Sequence, residues 1–196
     1  MGTVLDPAFY ARDTRAVARD LVGMRLVARG RGRFACAGTI VETEAYLPVG
    51  DPACHAARGR TARNATMFGP PGCAYVYFVY GMHHCLNAVT EPVGTPGAVL
   101  IRALEPTDGL ALMRRRRGWA HAERELANGP AKLCRALAID CQLDGTSLAG
   151  PRLVIEDQLV RPEIATTTRV GITVGCEHAW RYVWAGHPCV SRGRPS

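Results

Sequence analysis

Apolar and polar positions alternate along the chain in a way that predicts short helices and short strands in mixed order. Residues Thr14–Leu21 place apolar side chains among charged ones, as an amphipathic helix does, and Gly23 ends this helix. Thr107–Arg117 and Ala131–Ala138 are predicted to be helical as well. Runs rich in Val, Ile, Thr and aromatic residues predict the strands Met24–Val27, Phe34–Tyr46, Ala74–Tyr80, His83–Thr90, Val99–Ala103, Leu153–Ile155, Thr168–Thr173 and Tyr182–Trp184.

This order of elements predicts a single domain over residues 1–196 instead of a βαβ array. We expect an α+β fold with a mixed, largely antiparallel curved sheet, flanking helices and a protruding β-hairpin that turns at Gly81-Met82. Residues Leu47–Pro71 have little periodicity and many Gly, Pro, Arg and Asn residues. Loops of that length inside a domain are usually functional, so this segment is a candidate part of a binding site.

The charge of the chain favours a polyanionic partner. Lys and Arg number 24 against 17 Asp and Glu, a formal net charge of +7. Basic surface raises the local concentration of nucleic acid, although many basic proteins bind none. No apolar run approaches the roughly 18 residues of a membrane span, and Met1–Tyr10 has no signal-peptide pattern. We therefore expect a cytoplasmic protein that is not bound to a membrane.

Neither a cofactor nor a metal site is predicted. The eight cysteines include no CxxC pair, and no HExxH or paired Cys/His grouping accompanies them. We expect reduced and mainly buried thiols. The chain also lacks GxGxxG and GxxxxGK, so a nucleotide-cofactor site has no support.

Two glutamates on one strand are the first candidates for chemistry. Glu42 and Glu44 are two positions apart, hence on the same face, just before the long loop. They belong either to a solvated edge of the sheet or to a site in which one of them acts as a base. Arg102 lies inside another apolar strand and needs a partner to offset its desolvation, for which Glu44 is the obvious candidate. A structural ion pair and a catalytic pair fit this pattern equally well.

Aromatic residues mark the predicted hairpin. Tyr75 and Tyr77 share one face of its first strand, while Tyr80 and Met82 lie at its tip, where a large side chain projects. One interpretation is core filling plus an exposed tyrosine. The other is a side chain inserted between the base steps of DNA, beside a tyrosine that stacks on a flipped base.

Basic residues near two helix ends are further candidates. Asn128–Lys132 places a lysine at the start of a helix, which suits a phosphate but is equally a plain helix cap. The run Arg114–Arg117 is more typical of a solvated helix end than of a DNA contact.

Several motifs follow one another along the chain, Glu42–Tyr46, His55, Arg63-Asn64, Met67-Phe68, Tyr75–Met82, Cys85, Asn87, Leu100–Pro106, Asn128–Cys134 and Arg169–Ile172. In this order they resemble the alkyladenine (3-methyladenine) DNA glycosylase family, in a short bacterial form. The resemblance runs from about Phe9 to Ser191, nearly the whole chain. It implies hydrolysis of the N-glycosidic bond of a damaged purine flipped out of duplex DNA, without a cofactor and without lyase activity.

The resemblance also implies roles for individual residues. Glu44 would be the general base, holding the attacking water together with Arg102 and the backbone carbonyl of Val170. The positive charge of Arg102 would keep Glu44 ionised at neutral pH.

Other residues would hold the DNA. The pocket for the flipped base would be lined by Tyr46, His55, Tyr77 and Asn87. Of these, Asn87 would exclude guanine by clashing with its exocyclic amine. Tyr80 would fill the gap left in the minor groove, with Met82 beside it, and Lys132 would contact the DNA.

Two other classes of function were weighed against this one. A non-catalytic lesion-sensing module would not need both Glu44 and Arg102, and the chain has both. A basic structural or RNA-binding protein would need RNP-like or KH-like motifs, which the sequence lacks. The expected partner is therefore double-stranded DNA with damaged purines, bound by a monomer with no obligate protein partner.

Overall fold

Nine strands form one antiparallel sheet in the computed structural model, which describes residues 2–30, 35–118 and 122–191. The strands are β1 Thr3–Val4, β2 Arg25–Arg29, β3 Ala35–Tyr46, β4 Ala74–Val79, β5 His83–Thr90, β6 Gly97–Asp108, β7 Leu153–Asp157, β8 Ile164–Thr167 and β9 Arg181–Trp184. Their order is β1-β7-β2-β3-β6-β5-β4. In addition, β9 pairs with β3 and with β8.

The long strand β3 is the centre of the sheet. One of its edges pairs with β6, and its other edge pairs first with β2 and then, over Glu42–Glu44, with β9. The register between β3 and β6 shifts on both sides of Glu42, which marks irregular pairing at that point. Such bulges redirect side chains and are common beside active sites.

Among the described residues, four α-helices flank the sheet, α1 Pro7–Tyr10, α2 Thr14–Asp20, α3 Leu110–Arg117 and α4 Pro130–Leu137. Three short 3-10 helices, Ala65–Phe68, Glu123–Glu125 and Cys141–Leu143, lie in the connections. The Asp13 side chain accepts hydrogen bonds from the first backbone N–H groups of α2 and so caps it. Helices α3 and α4 have eight residues each, the greatest length among the described helices, and none of these could cross a bilayer.

The core lies between the sheet and these helices. Apolar side chains of α2 and α4 are completely or almost completely buried against residues of β3, β5 and β6. Burial of this continuous apolar surface is the main favourable contribution to folding. The predicted α+β class with a largely antiparallel sheet is confirmed, and every strand pairing in the described residues is antiparallel.

Some predicted boundaries are wrong. The predicted strand Thr168–Thr173 is irregular chain, and the neighbouring strand is Ile164–Thr167 instead, because its residues pair with β9. Strand β6 continues to Asp108, which pairs with Ala37, so the following helix begins three residues later than predicted. The predicted strand start at Phe34 lies outside the described residues.

Candidate active site

A cavity of about 340 Å³ opens beside the β4–β5 hairpin. Its walls come from the end of β3 and the following loop, from the hairpin, from β6, from the start of α4 and from residues 170–172. Seven residues predicted for the site line it, Tyr46, His55, Tyr77, Tyr80, Asn87, Arg102 and Val170. The fold thus brings together residues from widely separated parts of the chain.

Aromatic rings form one wall of the cavity. The His55 and Tyr77 ring centroids are 4.6 Å apart, and those of Tyr75 and Tyr77 are 5.2 Å apart. The His55 Nδ1 atom and the Tyr75 hydroxyl share a hydrogen bond of 2.9 Å. Burial, with a smaller contribution from the Arg63 charge, lowers the pKa of His55, so the neutral imidazole is favoured.

Asn87 is held by the same hairpin. It pairs with Tyr75 across the two strands, and its side-chain Nδ2 donates a hydrogen bond of 3.0 Å to the Tyr75 carbonyl. Asn87 is almost completely buried but still contributes to the cavity wall. Its amide is therefore held rigidly by the backbone of the opposite strand.

Glu44 lies directly behind this cavity. Its Oε1 accepts a hydrogen bond of 2.7 Å from the Val170 backbone N–H, while Oε2 accepts one of 2.9 Å from the Tyr46 hydroxyl and one of 3.3 Å from Arg102. Glu44 is completely buried and does not itself line the cavity, whereas all three of these partners do. The carboxylate is thus connected to the cavity wall through the groups that hold it.

Burial raises the pKa of Glu44, although Arg102, the Val170 N–H and the Tyr46 hydroxyl each lower it. Arg102 thus favours the ionised form of Glu44, as the sequence analysis expected, but burial opposes it. Desolvation outweighs the nearby positive charge, and the result is a more basic carboxylate. A carboxylate of raised pKa is better suited to accept a proton near neutral pH.

Glu42 is the closer partner of Arg102. The Arg102 Nε donates to Glu42 Oε1 at 2.8 Å, compared with 3.3 Å for its contact with Glu44. Glu42 also accepts hydrogen bonds from Arg181 Nε at 2.7 Å and from the backbone N–H and hydroxyl of Ser191 at 2.7 and 2.9 Å. Both glutamates are completely buried, so the interpretation as a solvated sheet edge is wrong.

The hairpin tip projects from the rim of the cavity. Tyr80 is 81% exposed and Met82 is 69% exposed, and Phe78 is also exposed at the base of the tip. Tyr80 has a φ of +52°, the left-handed region that side chains other than glycine rarely adopt. A large apolar side chain is therefore held in solvent by a strained backbone.

Comparison with known proteins identifies the family of this chain. The family model of methylpurine-DNA glycosylase matches residues 8–188. The chain belongs to the methylpurine-DNA glycosylase family. This confirms the expected family, and with it the expected enzyme class of DNA glycosylase.

Curated relatives extend the match over almost the full chain. A protein of Rhodopseudomonas palustris (strain BisB18) is 49% identical over 98% of this chain and 92% of its own length. Relatives from Carboxydothermus hydrogenoformans and Methanoculleus marisnigri are 47% and 50% identical, each over 96% of this chain and over 99% and 98% of their own lengths. Each carries the name "Putative 3-methyladenine DNA glycosylase".

The fold of this chain also contains a buried residue for which the sequence predicted no role. Arg169 is completely buried and makes a bidentate ion pair with Asp51, at 2.6 and 2.7 Å. Its guanidinium lies between two rings, 4.7 Å from the Tyr46 centroid and 4.9 Å from that of Trp180. Arg169 follows three threonines, so no apolar run marks it as Arg102 is marked, and its place in the motif Arg169–Ile172 was the available signal.

Arg63 was quoted as part of a family motif but was given no role. Its Nη2 donates a hydrogen bond of 3.1 Å to the Phe78 carbonyl, and its guanidinium carbon lies 5.6 Å from the Tyr77 ring centroid. A cation thus stands at the base of the hairpin. Because its contacts come from a distant strand, no local sequence pattern distinguishes it from the other arginines of its loop.

Two of the predicted basic positions lie outside the cavity wall. Lys132 does not line the cavity, and its Nζ donates to Asn128 Oδ1 at 2.8 Å. The N-cap of α4 is Gly129, which makes no side-chain cap hydrogen bond, so the structure does not show the side-chain helix cap either. In the run Arg114–Arg117, Arg116 and Arg117 donate to backbone carbonyls. Within the described part of the chain, no group of three His, Cys, Asp or Glu side chains could hold a metal ion.

Proposed function

We propose that this chain flips alkylated or deaminated purines out of duplex DNA and hydrolyses their N-glycosidic bond with a water activated by Glu44. The observation that carries the proposal is a buried carboxylate held by three residues that line a cavity with aromatic walls. The relatives named for 3-methyladenine support the choice of a methylated purine as substrate.

The aromatic wall suits a damaged base. Alkylation at N3 or N7 places positive charge on a purine, and aromatic faces attract cations by about 0.5–2 kcal/mol. Tyr46, His55 and Tyr77 line the cavity and would stack on the flipped base. The neutral form of His55, favoured by its lowered pKa, avoids repulsion of a cationic purine.

Glu44 would act at the sugar of the flipped nucleotide. A carboxylate offers about four lone-pair positions, of which Oε2 uses two and Oε1 uses one in the hydrogen bonds described above. The remaining position on Oε1 would accept the attacking water, which would enter between Arg102 and the carbonyl of Val170. As the glycosidic bond breaks, its electron pair would go to the cationic alkylated purine, which would leave as a neutral base. The negative charge of Glu44 would stabilise the cationic sugar, and Glu44 would take a proton from the water whose oxygen bonds to C1′.

The hairpin tip would keep the base flipped. Extruding a base costs a few kcal/mol, least where the base is damaged or poorly paired. Tyr80 and Met82 are exposed and apolar, and an inserted apolar side chain offsets part of the lost stacking. Arg63, at the base of the hairpin, would place positive charge near the backbone of the DNA.

The proposed reaction ends at an abasic site. A lyase step needs an amine that forms a Schiff base with the sugar. Lys132 is the only lysine of the chain, and it binds Asn128 outside the cavity wall. We therefore propose a monofunctional glycosylase that binds damaged duplex DNA as a monomer, without a cofactor.

Formation of abasic sites tests the proposal. Duplexes with one 3-methyladenine or one hypoxanthine are incubated with the wild type, with Glu44→Gln and with Glu163→Gln, an exposed carboxylate outside the site. We expect Glu44→Gln to lose base release by about 10²- to 10⁴-fold, the usual size of general-base catalysis. Lesion binding should stay within about threefold, less than 1 kcal/mol.

The other outcomes separate the alternatives. A wild type that binds the lesion duplex without releasing the base is a non-catalytic lesion sensor. Full activity of Glu44→Gln would remove Glu44 from the role of base. Equal losses in Glu44→Gln and Glu163→Gln would point to a general effect of charge on DNA binding.

A further inference from the structure

Four charged side chains form a closed cluster beneath the cavity. Glu42, Glu44, Arg102 and Arg181 are each at most 6% exposed, and they contribute two negative and two positive charges. Glu42 and Glu44 share one face of β3, while Arg102 comes from β6 and Arg181 from β9, the strands that pair with β3 on its two sides. Only Arg102 of these four lines the cavity.

Glu42 determines how Arg102 is oriented. The guanidinium is planar, and its Nε is fixed at 2.8 Å from Glu42 Oε1. This contact leaves Nη1 directed at Glu44 over a longer distance of 3.3 Å, and Nη2 at 3.4 Å from the Ser191 hydroxyl. Glu42 itself is fixed by Arg181 and Ser191, which do not touch the cavity.

We propose that Glu42 and Arg181 are positioning residues that act on Glu44 through Arg102. The negative charge of Glu42 offsets part of the effect of the Arg102 charge on Glu44. The positive charge of Arg181 in turn partly neutralises Glu42. This inference rests on the proposed role of Glu44 as the base. It concerns two residues that do not line the cavity. Their effect is electrostatic and is exerted from behind the site.

The charges around Glu44 support opposite effects of the two residues. The groups that face Glu44 are the charged Arg102, Arg181, Arg169 and Glu42, together with the Tyr46 hydroxyl, the Cys85 thiol and the Val170 N–H. Arg102 lowers the pKa of Glu44, and Glu42 raises it. Without the Glu42 charge, the positive charge of Arg102 stabilises the Glu44 carboxylate more strongly, so the pKa of Glu44 should fall. Loss of the Arg181 charge leaves Glu42 less neutralised and should raise it.

Direct titration of the carboxyl tests this inference. The protein is labelled with ¹³C at the glutamate side-chain carboxyl, and the Glu44 resonance is assigned by its loss in Glu44→Gln. We expect the midpoint of this resonance to fall by about one pH unit or more in Glu42→Gln and to rise by a similar amount in Arg181→Gln. The acidic limb of the pH–rate profile for base release should move in the same directions.

Two further variants separate charge from structure. Glu42→Gln/Arg181→Gln restores the charge balance of the cluster and should return the Glu44 midpoint close to that of the wild type. Ser191→Ala removes the hydroxyl hydrogen bond to Glu42 without a change of charge, so the midpoint should hardly move. If one single variant fails to fold, the other single variant and the double variant Glu42→Gln/Arg181→Gln still show the direction in which the Glu44 midpoint shifts.

Unchanged midpoints, or shifts of the two single variants in the same direction, would overturn the inference. Reduced activity without opposite shifts would indicate a structural role alone. The titration does not depend on catalysis. Retained activity of Glu44→Gln would therefore contradict the proposed function, while opposite shifts of the midpoint would still support the coupling.

Discussion

The buried charges beneath the cavity and the hairpin tip on its rim differ in both solvation and backbone geometry. Glu42, Glu44 and Arg102 are almost fully desolvated, and each is held by neighbours from other strands. Tyr80 and Met82, in contrast, are more than two thirds exposed, on a turn of three residues. One region holds charge away from water, and the other holds apolar surface in water.

This difference separates stability from function. A buried charge loses its hydration, so removal of its partner destabilises the whole fold. An exposed side chain at a turn contributes little to folding, so its removal should affect only what it binds. Substitutions in the two regions should therefore give different combinations of stability and DNA binding.

The largest expected effect is on stability. Arg169→Met leaves the Asp51 carboxylate buried without its bidentate partner, which should lower the free energy of unfolding by about 3–5 kcal/mol. Denaturant unfolding measures this loss. Arg161→Met removes an exposed ion pair with Asp157 and is the matched control, for which we expect little change. Equal losses in both variants would contradict the importance of burial.

The next effect is on lesion binding. Tyr80→Ala should weaken binding of a hypoxanthine duplex by about 10- to 100-fold, the loss of one stacking contact of about 1–3 kcal/mol. Its free energy of unfolding should change by less than about 0.5 kcal/mol. Fluorescence anisotropy and denaturant unfolding give the two quantities.

Leu159→Ala is a close control for this variant. Leu159 is also 81% exposed and has a φ of +59°, but it follows β7, far along the chain from the hairpin. We expect it to bind the lesion duplex like the wild type. A loss of binding in both variants would show that exposed apolar area, and not the hairpin tip, is what matters.

The same contrast explains how much of the site could be predicted. His55, Tyr77 and Asn87 were found because their motif is local and distinctive, and all three line the cavity. The tip was found because a turn between two apolar strands exposes its residues. These features depend on residues that are neighbours in sequence.

The buried charges depend on distant pairings instead. Glu42 is buried because β9 covers it from about 140 residues further along the chain, and its closest contacts come from Arg181 and Ser191. A strand pattern contains no information about which strand pairs with it, so the pattern could not exclude a solvated edge. The local pattern also placed Arg169 in a predicted strand. That pattern contains no information about its ion pair with Asp51, which outweighs the local preference.

A smaller effect is expected in the pH dependence of stability. The folded-state pKa of Glu44 is raised above its ordinary value of 4.5, so the folded protein holds this proton more tightly than the unfolded chain. The stability that results is complete below 4.5 and is lost as the pH rises through the folded-state pKa. Glutamine does not titrate, so the stability of Glu44→Gln relative to the wild type should increase from acidic to neutral pH.

Urea unfolding across this range measures that difference, with the exposed Glu163→Gln as control. The lowered pKa of His55 also makes stability depend on pH, but both proteins contain His55, so its contribution cancels. Relative to the wild type, the free energy of unfolding of Glu44→Gln should rise with pH, whereas that of Glu163→Gln should stay constant. A falling difference would mean that the Arg102 charge outweighs desolvation at Glu44.

The smallest effect concerns strain at the tip. Tyr80 has a φ of +52°, which costs a residue with a side chain about 1–2 kcal/mol but costs glycine little. Glycine loses about 0.5–1 kcal/mol more entropy on folding, so Tyr80→Gly should be more stable than Tyr80→Ala by about 0.5–1 kcal/mol. Both variants lack the ring and should bind the lesion duplex equally weakly. Tighter binding by Tyr80→Ala would instead mean that the strained backbone itself helps to present the tip to DNA. The strain at the tip would then reduce stability in favour of function, as the buried charges beneath the cavity do.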